Sequence, residues 1–519
     1  MKKCFYTWKG YDIYGELIRI HCPEEIWKGS NKYCIFHDPS PRKETKLFQQ
    51  RFEEKNDYDY KGYYFPEEWI FNSEKSYRNA DFRGATFQDV DFENAIFQNA
   101  NFGGATFQEN ANFHRVTFQK DAHFQGVTFQ RDVDFWAATF HERADFERAT
   151  FQEYVDLWGS LFQKNACFNE ATFRYADFRE AIFEEDADFN DAIFQEYGDF
   201  WGTTFHGEAS FNGASFQKDA NFDGATFKDH VQFEDTMFQN ASFVSTFFQD
   251  QFFSKASFKE VNFREAVFQK KARFGRVAFQ NAYFSGTTFR EGAFLEGVVV
   301  EKNLEFAPCQ IGELNLQYAQ FLFGGNITAN LAEAKFYRAH LENASFIDCT
   351  WPERIYEETH MLSENLSFKE LETIYRNLKQ NMQRQGNYTK AGKFYYREME
   401  MKRKGTENKG KRIWFELYNL LAGYGEKPER TAISALVTIL AFAFVYWSIG
   451  CLRYPDNIHT ALGKAASSIY FSFVTFTTLG LGDIHPSNNL GRSLVCCEAV
   501  IGAFLIALFV VVFARKMMR

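Results

Sequence analysis

The residues best suited to chemistry lie in one short run near the end of the sequence, TTLGLGD at residues 477–483. Glycine tolerates left-handed backbone angles, so glycines at alternate positions allow successive carbonyl oxygens to point to one side of the chain. Stacked rings of such oxygens replace the hydration shell of a potassium ion. One chain supplies only one side of each ring, so the run predicts an oligomer.

Two apolar segments position this run. Residues 431–451 precede it and residues 493–513 follow it, and each has about the 20 residues that a helix needs to cross a bilayer. An amphipathic piece between them is too short to span. Irregular backbone is tolerated at membrane depth only where protein buries it or where it lines a wet cavity. The sequence therefore predicts a membrane helix at 431–451, a short helix at 465–477, an irregular segment at 478–483 and a second membrane helix at 492–514.

This order of helix, pore helix, filter and helix resembles the two-transmembrane potassium channel family over about residues 431–519. The resemblance implies a homotetramer with K⁺ ions in its filter, and a hinge at Gly502 in the second helix. It also implies negative charge from Asp483 at the pore mouth, and Ile506 and Val510 as cavity-lining residues. The coordinating residues that it implies are Thr478, Leu479, Gly480, Leu481 and Gly482.

The sequence departs from the family pattern at two positions. Leu481 replaces the usual central aromatic residue, and Val474 stands where some relatives carry a buried acid. Coordination uses backbone oxygens, so leucine need not abolish it, but both departures remove a side-chain brace of the filter. The strictness of K⁺ over Na⁺ selectivity therefore stays open.

Charged residues predict the orientation of the two membrane helices. Lys427 and Arg430 precede the first, and Arg515, Lys516 and Arg519 follow the second, so the positive-inside rule places both ends in the cytosol. We expect a multi-pass protein of the plasma membrane.

An acidic residue also occurs within the second membrane helix. Glu498 lies in its second turn, and acids inside membrane segments are functional candidates by default. Two interpretations are open, because the residue is close to the predicted outer interface. Glu498 is either hydrated there or supports the filter loop from behind.

A period of five residues dominates about residues 76–350. The chain has 64 phenylalanines, and many recur five residues apart, or alternately six and five apart. Five matches neither a helix nor a free strand, but it matches a chain that turns a corner every five residues. Each Phe and the small residue two before it, such as Ala100 before Phe102, are predicted to point inward, with Gln98, Gln108 and Gln119 outward. Ten to twelve coils would give a rod of about 50 Å, with each sixth residue forming a local bulge or a longer corner.

The pattern resembles the pentapeptide-repeat family, whose fold is a right-handed quadrilateral β-helix. The resemblance implies a rigid scaffold, and no catalytic pair is apparent, so we expect no enzymatic activity. Asp145, Asp177 and Asp199 recur at one position of the repeat and are interpreted as a solvated face. Because the net charge is −10 and some family members mimic DNA, gyrase binding is a third, weaker hypothesis.

Residues 1–75 predict a small module that caps the repeat, as solenoids require. Short strands are expected at 17–20 and 33–36. The chain has nine cysteines without a paired framework, so free thiols are expected. A four-ligand zinc site is one possibility, with buried thiols in a plain cap as the alternative. Its ligands would be Cys4, Cys22, Cys34 and His37, with His21 nearby.

Residues 360–430 predict a helical connector. An apolar stripe at Leu371, Tyr375, Leu378 and Met382 indicates one helix, and a second is expected at about 388–403. The basic run that follows, and the amphipathic piece after it, are typical of a helix on an anionic lipid surface rather than of a nucleic-acid site.

The sequence thus predicts a multidomain chain: a right-handed quadrilateral β-helix, an α-helical connector and an all-α two-transmembrane pore domain. The leading hypothesis is a tetrameric potassium-selective, or at least cation-selective, channel. Its cytosolic β-helix would be a scaffold or gating domain with an unknown partner or ligand. The alternative is a membrane-anchored scaffold with a non-conducting pore.

Overall fold

The computed structural model describes residues 2–11, 17–40, 43–55, 57–71, 73, 75–454 and 460–518. The sequence also suggests a turn at Gly15 and a loop outside the membrane at 456–464; Gly15, residues 456–459 of that loop and Arg519 lie outside these ranges. The chain divides into two compact units, Met1–Tyr356 and Glu357–Arg519. Its helices are α1 (Thr45–Glu54), α2 (Tyr356–Thr359), α3 (Phe368–Arg384), α4 (Tyr388–Lys404), α5 (Lys409–Ala422), α6 (Pro428–Ile449), α7 (Ala461–Phe476) and α8 (Asn489–Met517), with a 3₁₀ turn at Gly423–Gly425.

The first unit is a β-helix of about 13 turns, more than the ten to twelve that the repeat length predicted. Parallel pairing between successive coils joins its short strands into two large sheets. Inward Phe and Ala side chains are fully buried, as expected: Phe102 and Ala100 both have 0% exposure. An antiparallel hairpin of Thr7–Tyr11 and Leu17–His21 precedes the coils.

One sheet contains the strands Trp69–Ile70, Thr86–Phe87, Val90–Asp91, Thr106–Phe107, Ala111–Asn112, Thr128–Phe129, Val133–Asp134, Thr150–Asp156, Thr172–Asp177, Ile193–Asp199, Ser215–Asn221, Met237–Ser242, Ser257–Asn262, Ala278–Tyr283, Val299–Phe306, Gln320–Phe321, Gly325–Ile327 and Ala344–Phe346. The other contains Ser76–Tyr77, Ala80–Asp81, Ile96–Phe97, Ala100–Asn101, Thr117–Phe118, Ala122–His123, Thr139–Phe140, Ala144–Asp145, Leu161–Phe162, Ala166–Cys167, Ile182–Phe183, Ala187–Asp188, Thr204–Phe205, Ala209–Ser210, Thr226–Gln232, Phe247–Phe252, Val267–Phe268, Ala272–Arg273, Thr288–Phe294 and Gln310–Asn315. A two-residue ladder in the second unit pairs Leu452–Arg453 with His485–Pro486.

Phenylalanine rings stack along the β-helix in ladders. The ring of Phe102 lies 4.7 Å from that of Phe82 and 4.8 Å from that of Phe124, nearly parallel to both. Stacked pairs of this kind add about 0.5–1.5 kcal/mol each beyond the area that they bury. The register between coils shifts where a six-residue unit pairs with a five-residue one, for example between Phe151 and Tyr154, whereas two paired six-residue units at Phe194 and Phe216 keep their register.

The β-helix begins before residue 76. Phe65 stacks on Phe87 at 4.5 Å, and Phe71 stacks on Phe92 at 4.4 Å. Tyr60 occupies the same kind of position against Phe82. The first coil thus keeps the five- and six-residue steps but has tyrosine at the inward positions Tyr60 and Tyr77, which hid it from a pattern of recurring phenylalanine.

The interpretation of the recurring carboxylates as a solvated face is wrong. Asp145, Asp177 and Asp199 are 1%, 4% and 8% exposed. Each accepts a hydrogen bond from the backbone N–H two residues later, at 3.0–3.2 Å. The repeated acid therefore caps the corner that follows it, as Asp and Asn do in turns generally.

The predicted strand at 33–36 is also wrong, whereas the one at 17–20 is confirmed within Leu17–His21. Residues 35–37 form a turn. Cys34, Ile35 and Phe36 are all buried, so the segment lacks the alternation of a strand. The Lys43 ammonium donates to the Ile35 carbonyl at 2.9 Å. A side chain therefore satisfies this carbonyl in place of the N–H group of a neighbouring strand.

The second unit begins with the predicted helical hairpin. α3 starts with a capping box in which Ser367 and Glu370 satisfy each other's backbone N–H groups. The predicted stripe is buried, with Leu371 and Tyr375 at 0% exposure. α5 exposes large apolar side chains, including Trp414 at 72%. Such a helix suits the surface of a membrane.

α6 and α8 are both long and apolar enough to cross a membrane. α6 extends from Pro428 to Ile449 and α8 from Asn489 to Met517, so both differ by a few residues from the predicted bounds. The short helix α7 packs against both. It begins four residues earlier than predicted, where Thr460 caps its amino-terminus.

Candidate functional site

The segment after α7 has an unusual backbone. Thr478, Gly480 and Gly482 have φ angles of 57°, 62° and 79°, and the two leucines between them do not share the left-handed conformation. Left-handed angles at alternate positions are what a backbone needs to turn successive carbonyls toward one side. A threonine with positive φ is strained by about 1 kcal/mol or more, and such strain concentrates at functional sites.

The carbonyl oxygens of this segment are unpaired. Amides at its start are satisfied, since the Leu479 N–H donates to the Val474 carbonyl at 3.0 Å. In the part of the chain that the structure describes, no protein group donates to the carbonyls of residues 478–482. Leu479 and Leu481 are 63% and 64% exposed. A single chain therefore presents both unpaired carbonyl oxygens and exposed leucine side chains in this segment.

Glu498 lies behind α7 and is fully buried. Its carboxylate accepts from the Tyr446 hydroxyl of α6 at 2.7 Å and is hydrogen-bonded to the Ser472 hydroxyl of α7. Ser472 also contacts the Ile439 carbonyl of α6 at 2.7 Å. Of the two interpretations of Glu498, the hydrated one is wrong. The acid fastens α7 to both long helices.

Two known protein families match separate parts of the chain. Residues 434–519 match the family described as ion channel. The family described as pentapeptide repeats (9 copies) matches residues 77–117, 113–161, 157–204, 168–215, 200–246 and 253–299. The chain joins pentapeptide repeats to an ion-channel domain. It is therefore a membrane protein.

One relative supports the channel assignment. The chain is 34% identical over 71 residues to two pore potassium channel a of Oryza sativa subsp. japonica. The match covers 13% of this chain and 20% of the relative, so the chain spans about one fifth of that relative's length. No solved structure gives a significant match.

Three further predicted residues of the ion-channel domain are exposed in the single chain. Asp483 is exposed next to Gly482, and its carboxylate lies close to the Tyr470 side chain of α7, which lines the same pocket. Ile506 and Val510 are 40% and 57% exposed on α8. Their place in a cavity stays a prediction.

Gly502 has a packing role that the sequence did not reveal. A Cβ atom there would lie 2.3 Å from the Phe476 carbonyl oxygen, so glycine lets α8 approach the end of α7. The α8 helix continues through this position. Bending at Gly502 stays a prediction.

The Tyr470–Asp483 and Glu498 contacts were missed because their partners are far apart in sequence or on separate elements. Tyr446 is 52 residues from Glu498. A buried acid in an apolar helix was the available signal, and it indicated importance without naming a partner.

The candidate metal ligands of the first unit also converge. Cys4, Cys22, Cys34 and His37 are all buried, and their ligand atoms lie within 4.8 Å of one another. His21 is not part of this cluster, because its Nδ1 hydrogen-bonds the Thr7 hydroxyl at 2.9 Å.

Proposed function

We propose that four copies of this chain form a potassium-selective, or at least cation-selective, channel of the plasma membrane. Each copy contributes the carbonyls of residues 478–482 to rings that coordinate K⁺. Conduction requires no catalysis, and we propose that the chain is not an enzyme. Both chain ends face the cytosol in this proposal, because basic side chains follow α8 and precede α6.

The observation that carries the proposal is the row of unpaired carbonyls in an apolar segment. An unsatisfied backbone group in a membrane costs several kcal/mol. Coordination of a dehydrated cation at a shared axis satisfies these oxygens, and neighbouring copies cover the exposed leucines. A single chain cannot satisfy these oxygens in this way. We therefore infer that symmetry-related copies of the chain surround a common axis.

The connector is the proposed route of regulation. The Arg515 guanidinium at the end of α8 lies 5.0 Å from the Tyr395 ring of α4 and 3.5 Å from the Glu426 carboxylate. The Lys427 ammonium, just before α6, lies 4.6 Å from the Tyr396 ring. A movement of α4 would therefore pull on both membrane helices. The β-helix, which precedes the connector in the chain, serves as scaffold or gating domain.

The test is ion flux through purified protein in liposomes, comparing K⁺ with Na⁺. Gly480→Ala should abolish K⁺ flux, because alanine disfavours φ of 62° by about 1 kcal/mol and its methyl group would crowd the rings. Gly450→Ala is the matched control. Gly450 has φ of 66°, and a Cβ added there would have no atom within 4 Å, as at Gly480, but Gly450 caps α6 away from the filter.

Wild-type protein and Gly450→Ala should conduct, and Gly480→Ala should not. No flux through well-assembled wild-type protein would favour the membrane-anchored scaffold with a non-conducting pore. Equal flux in all three proteins would refute the filter assignment.

A further inference from the structure

The amino-terminal module contains a second candidate ion site, unrelated to the pore. The hairpin places Cys4 and Cys22 side by side, since the Cys22 N–H donates to the Tyr6 carbonyl at 3.1 Å and the Cys4 N–H donates to the Glu24 carbonyl at 2.9 Å. Cys34 and His37 come from the following turn. Sequence spacing shows only the Cys34-x-x-His37 pair, whereas the fold adds the two hairpin sulfurs.

The distances between these side chains fit a tetrahedral metal site. Zinc binds sulfur at about 2.3 Å, so two sulfurs on one tetrahedron lie roughly 3.8 Å apart. The Cys22 and Cys34 sulfurs are 3.8 Å apart, and the Cys4 sulfur lies 3.9 Å from His37 Nδ1. A disulfide requires about 2.05 Å, so the Cys22–Cys34 pair is not bonded.

The imidazole of His37 is oriented for metal binding. Its Nε2 lies 3.0 Å from the Lys61 carbonyl oxygen, which can only accept, so Nε2 carries the proton. The lone pair of Nδ1 then faces the three sulfurs, and the Tyr6 ring stacks on the imidazole at 3.9 Å. Metal-binding histidines usually donate their second N–H to a carbonyl or carboxylate in this way.

Burial of four metal-free side chains explains this arrangement less completely than a metal site does. Free cysteines are often buried, and the Cys34–His37 contact at 3.1 Å would alone satisfy the imidazole. Neither fact requires the sulfurs of Cys4 and Cys22 to share the same small space. We propose that Cys4, Cys22, Cys34 and His37 bind one Zn²⁺ ion.

The proposed site is structural. Four protein ligands leave no open position for substrate, and all four are buried. The Lys61 carbonyl contacts His37, and the Lys61 ammonium pairs with Asp81 of the β-helix at 2.9 Å. The metal would therefore fasten the hairpin and turn to the first coils, which covers the open end of the solenoid.

The experiment measures bound metal and thermal stability in full-length protein. We expect one zinc per chain by elemental analysis of protein purified without added metal. Replacement by Co²⁺ should give the visible bands of tetrahedral cobalt with a thiolate charge-transfer band. A zinc chelator should lower the melting temperature of the wild-type protein.

Three variants separate ligation from general damage. Cys22→Ser should lose the zinc and the response to the chelator. Cys22→His supplies another zinc ligand and should retain both. Cys309→Ser, at an exposed thiol outside the cluster, should behave as wild type. Wild-type protein without zinc, with another metal in its place, or with a Cys22–Cys34 disulfide by mass spectrometry would overturn the proposal. Unchanged zinc in Cys22→Ser would also overturn it.

Discussion

The Tyr446 hydroxyl donates a 2.7 Å hydrogen bond to the Glu498 carboxylate, and both side chains are fully buried. Because Ser472 of α7 binds the same carboxylate, one acid holds three helices in register. The filter segment continues directly from α7. The position of the carbonyls of residues 478–482 therefore depends on a contact that none of these residues makes.

Replacing Glu498 should separate hydrogen bonding from packing. Glu498→Leu leaves the buried Tyr446 hydroxyl without its acceptor, at about 1–3 kcal/mol, whereas Ser472 keeps the Ile439 carbonyl as acceptor. We expect a lower melting temperature of the assembled protein and reduced K⁺ flux. Glu498→Gln retains an acceptor and a donor of the same shape and should lie close to wild type. Equal behaviour of the two variants would show that the hydrogen bonds are unimportant.

The Tyr470–Asp483 contact should steady the pore mouth. Leu481 cannot provide the brace that a tyrosine would give, and the Tyr470 hydroxyl lies near Asp483, where a hydrogen bond in the assembled pore would hold the loop. Tyr470→Phe removes only the hydroxyl and should weaken K⁺ over Na⁺ discrimination, measured as reversal potential. Tyr454→Phe is the control. It removes a hydrogen bond to Ser468, which lies on α7 like Tyr470, but it does so away from Asp483. Selectivity that falls equally in both variants would contradict a tether specific to Asp483.

Two buried hydroxyls of the β-helix should respond in opposite directions. The Ser160 hydroxyl is buried without a hydrogen-bond partner among the described residues, whereas Thr203 donates to the Phe178 carbonyl at 2.7 Å. Ser160→Ala should raise the free energy of unfolding by about 1 kcal/mol, and Thr203→Val should lower it by a similar amount. Thermal unfolding of the full chain, followed by circular dichroism, measures both. A loss of stability in Ser160→Ala would contradict the assignment.

Glu400 should couple the connector to the membrane helices. Its carboxylate accepts from the Tyr424 hydroxyl at 2.8 Å, the Asn419 amide at 3.0 Å and Arg403 at 3.0 Å. Glu400→Ala should change the open probability and leave ion selectivity intact, because the filter is not touched. Glu416→Ala removes ion pairs of an exposed carboxylate with Arg403 and Arg412, worth about 0–1 kcal/mol each, and serves as control. An altered selectivity in Glu400→Ala would argue against a coupling role.

The same carboxylate predicts a pH dependence. Burial raises the pKa of Glu400, but the Arg403 guanidinium and the Tyr424 hydroxyl oppose this, and the net pKa is below the usual value. A lowered pKa means that Glu400 stabilises the fold above its unfolded-state pKa. This contribution is lost as the pH falls through the folded value. Glu400→Gln should flatten the acid side of the stability profile, measured by melting temperature against pH.

Most of the β-helix could be predicted because its period is local and repeated. Inward positions such as Phe102 followed from spacing alone. The first coil was missed because tyrosine stands at the inward positions Tyr60 and Tyr77, although the five- and six-residue steps continue through them. The burial of Asp177 was missed because an acid at one position of a repeat gives the same sequence pattern whether it is solvated or caps a corner.

The candidate sites were predictable by residue type rather than by geometry. The run at 477–483 showed which residues would have left-handed angles, apart from Thr478, since threonine does not favour positive φ. The partners of Glu498 depend on tertiary packing between elements far apart in sequence. Convergence of Cys4 and Cys22 required the hairpin, whose strand pairing the irregular cysteine spacing did not indicate.

The most direct test of the account is anomalous diffraction from crystals of the full-length protein grown with thallium ions, which substitute for K⁺. We predict a column of thallium peaks on a four-fold axis, level with the carbonyl oxygens of residues 478–482. An assembly with any other number of subunits, or a four-fold axis without thallium at these oxygens, would contradict it.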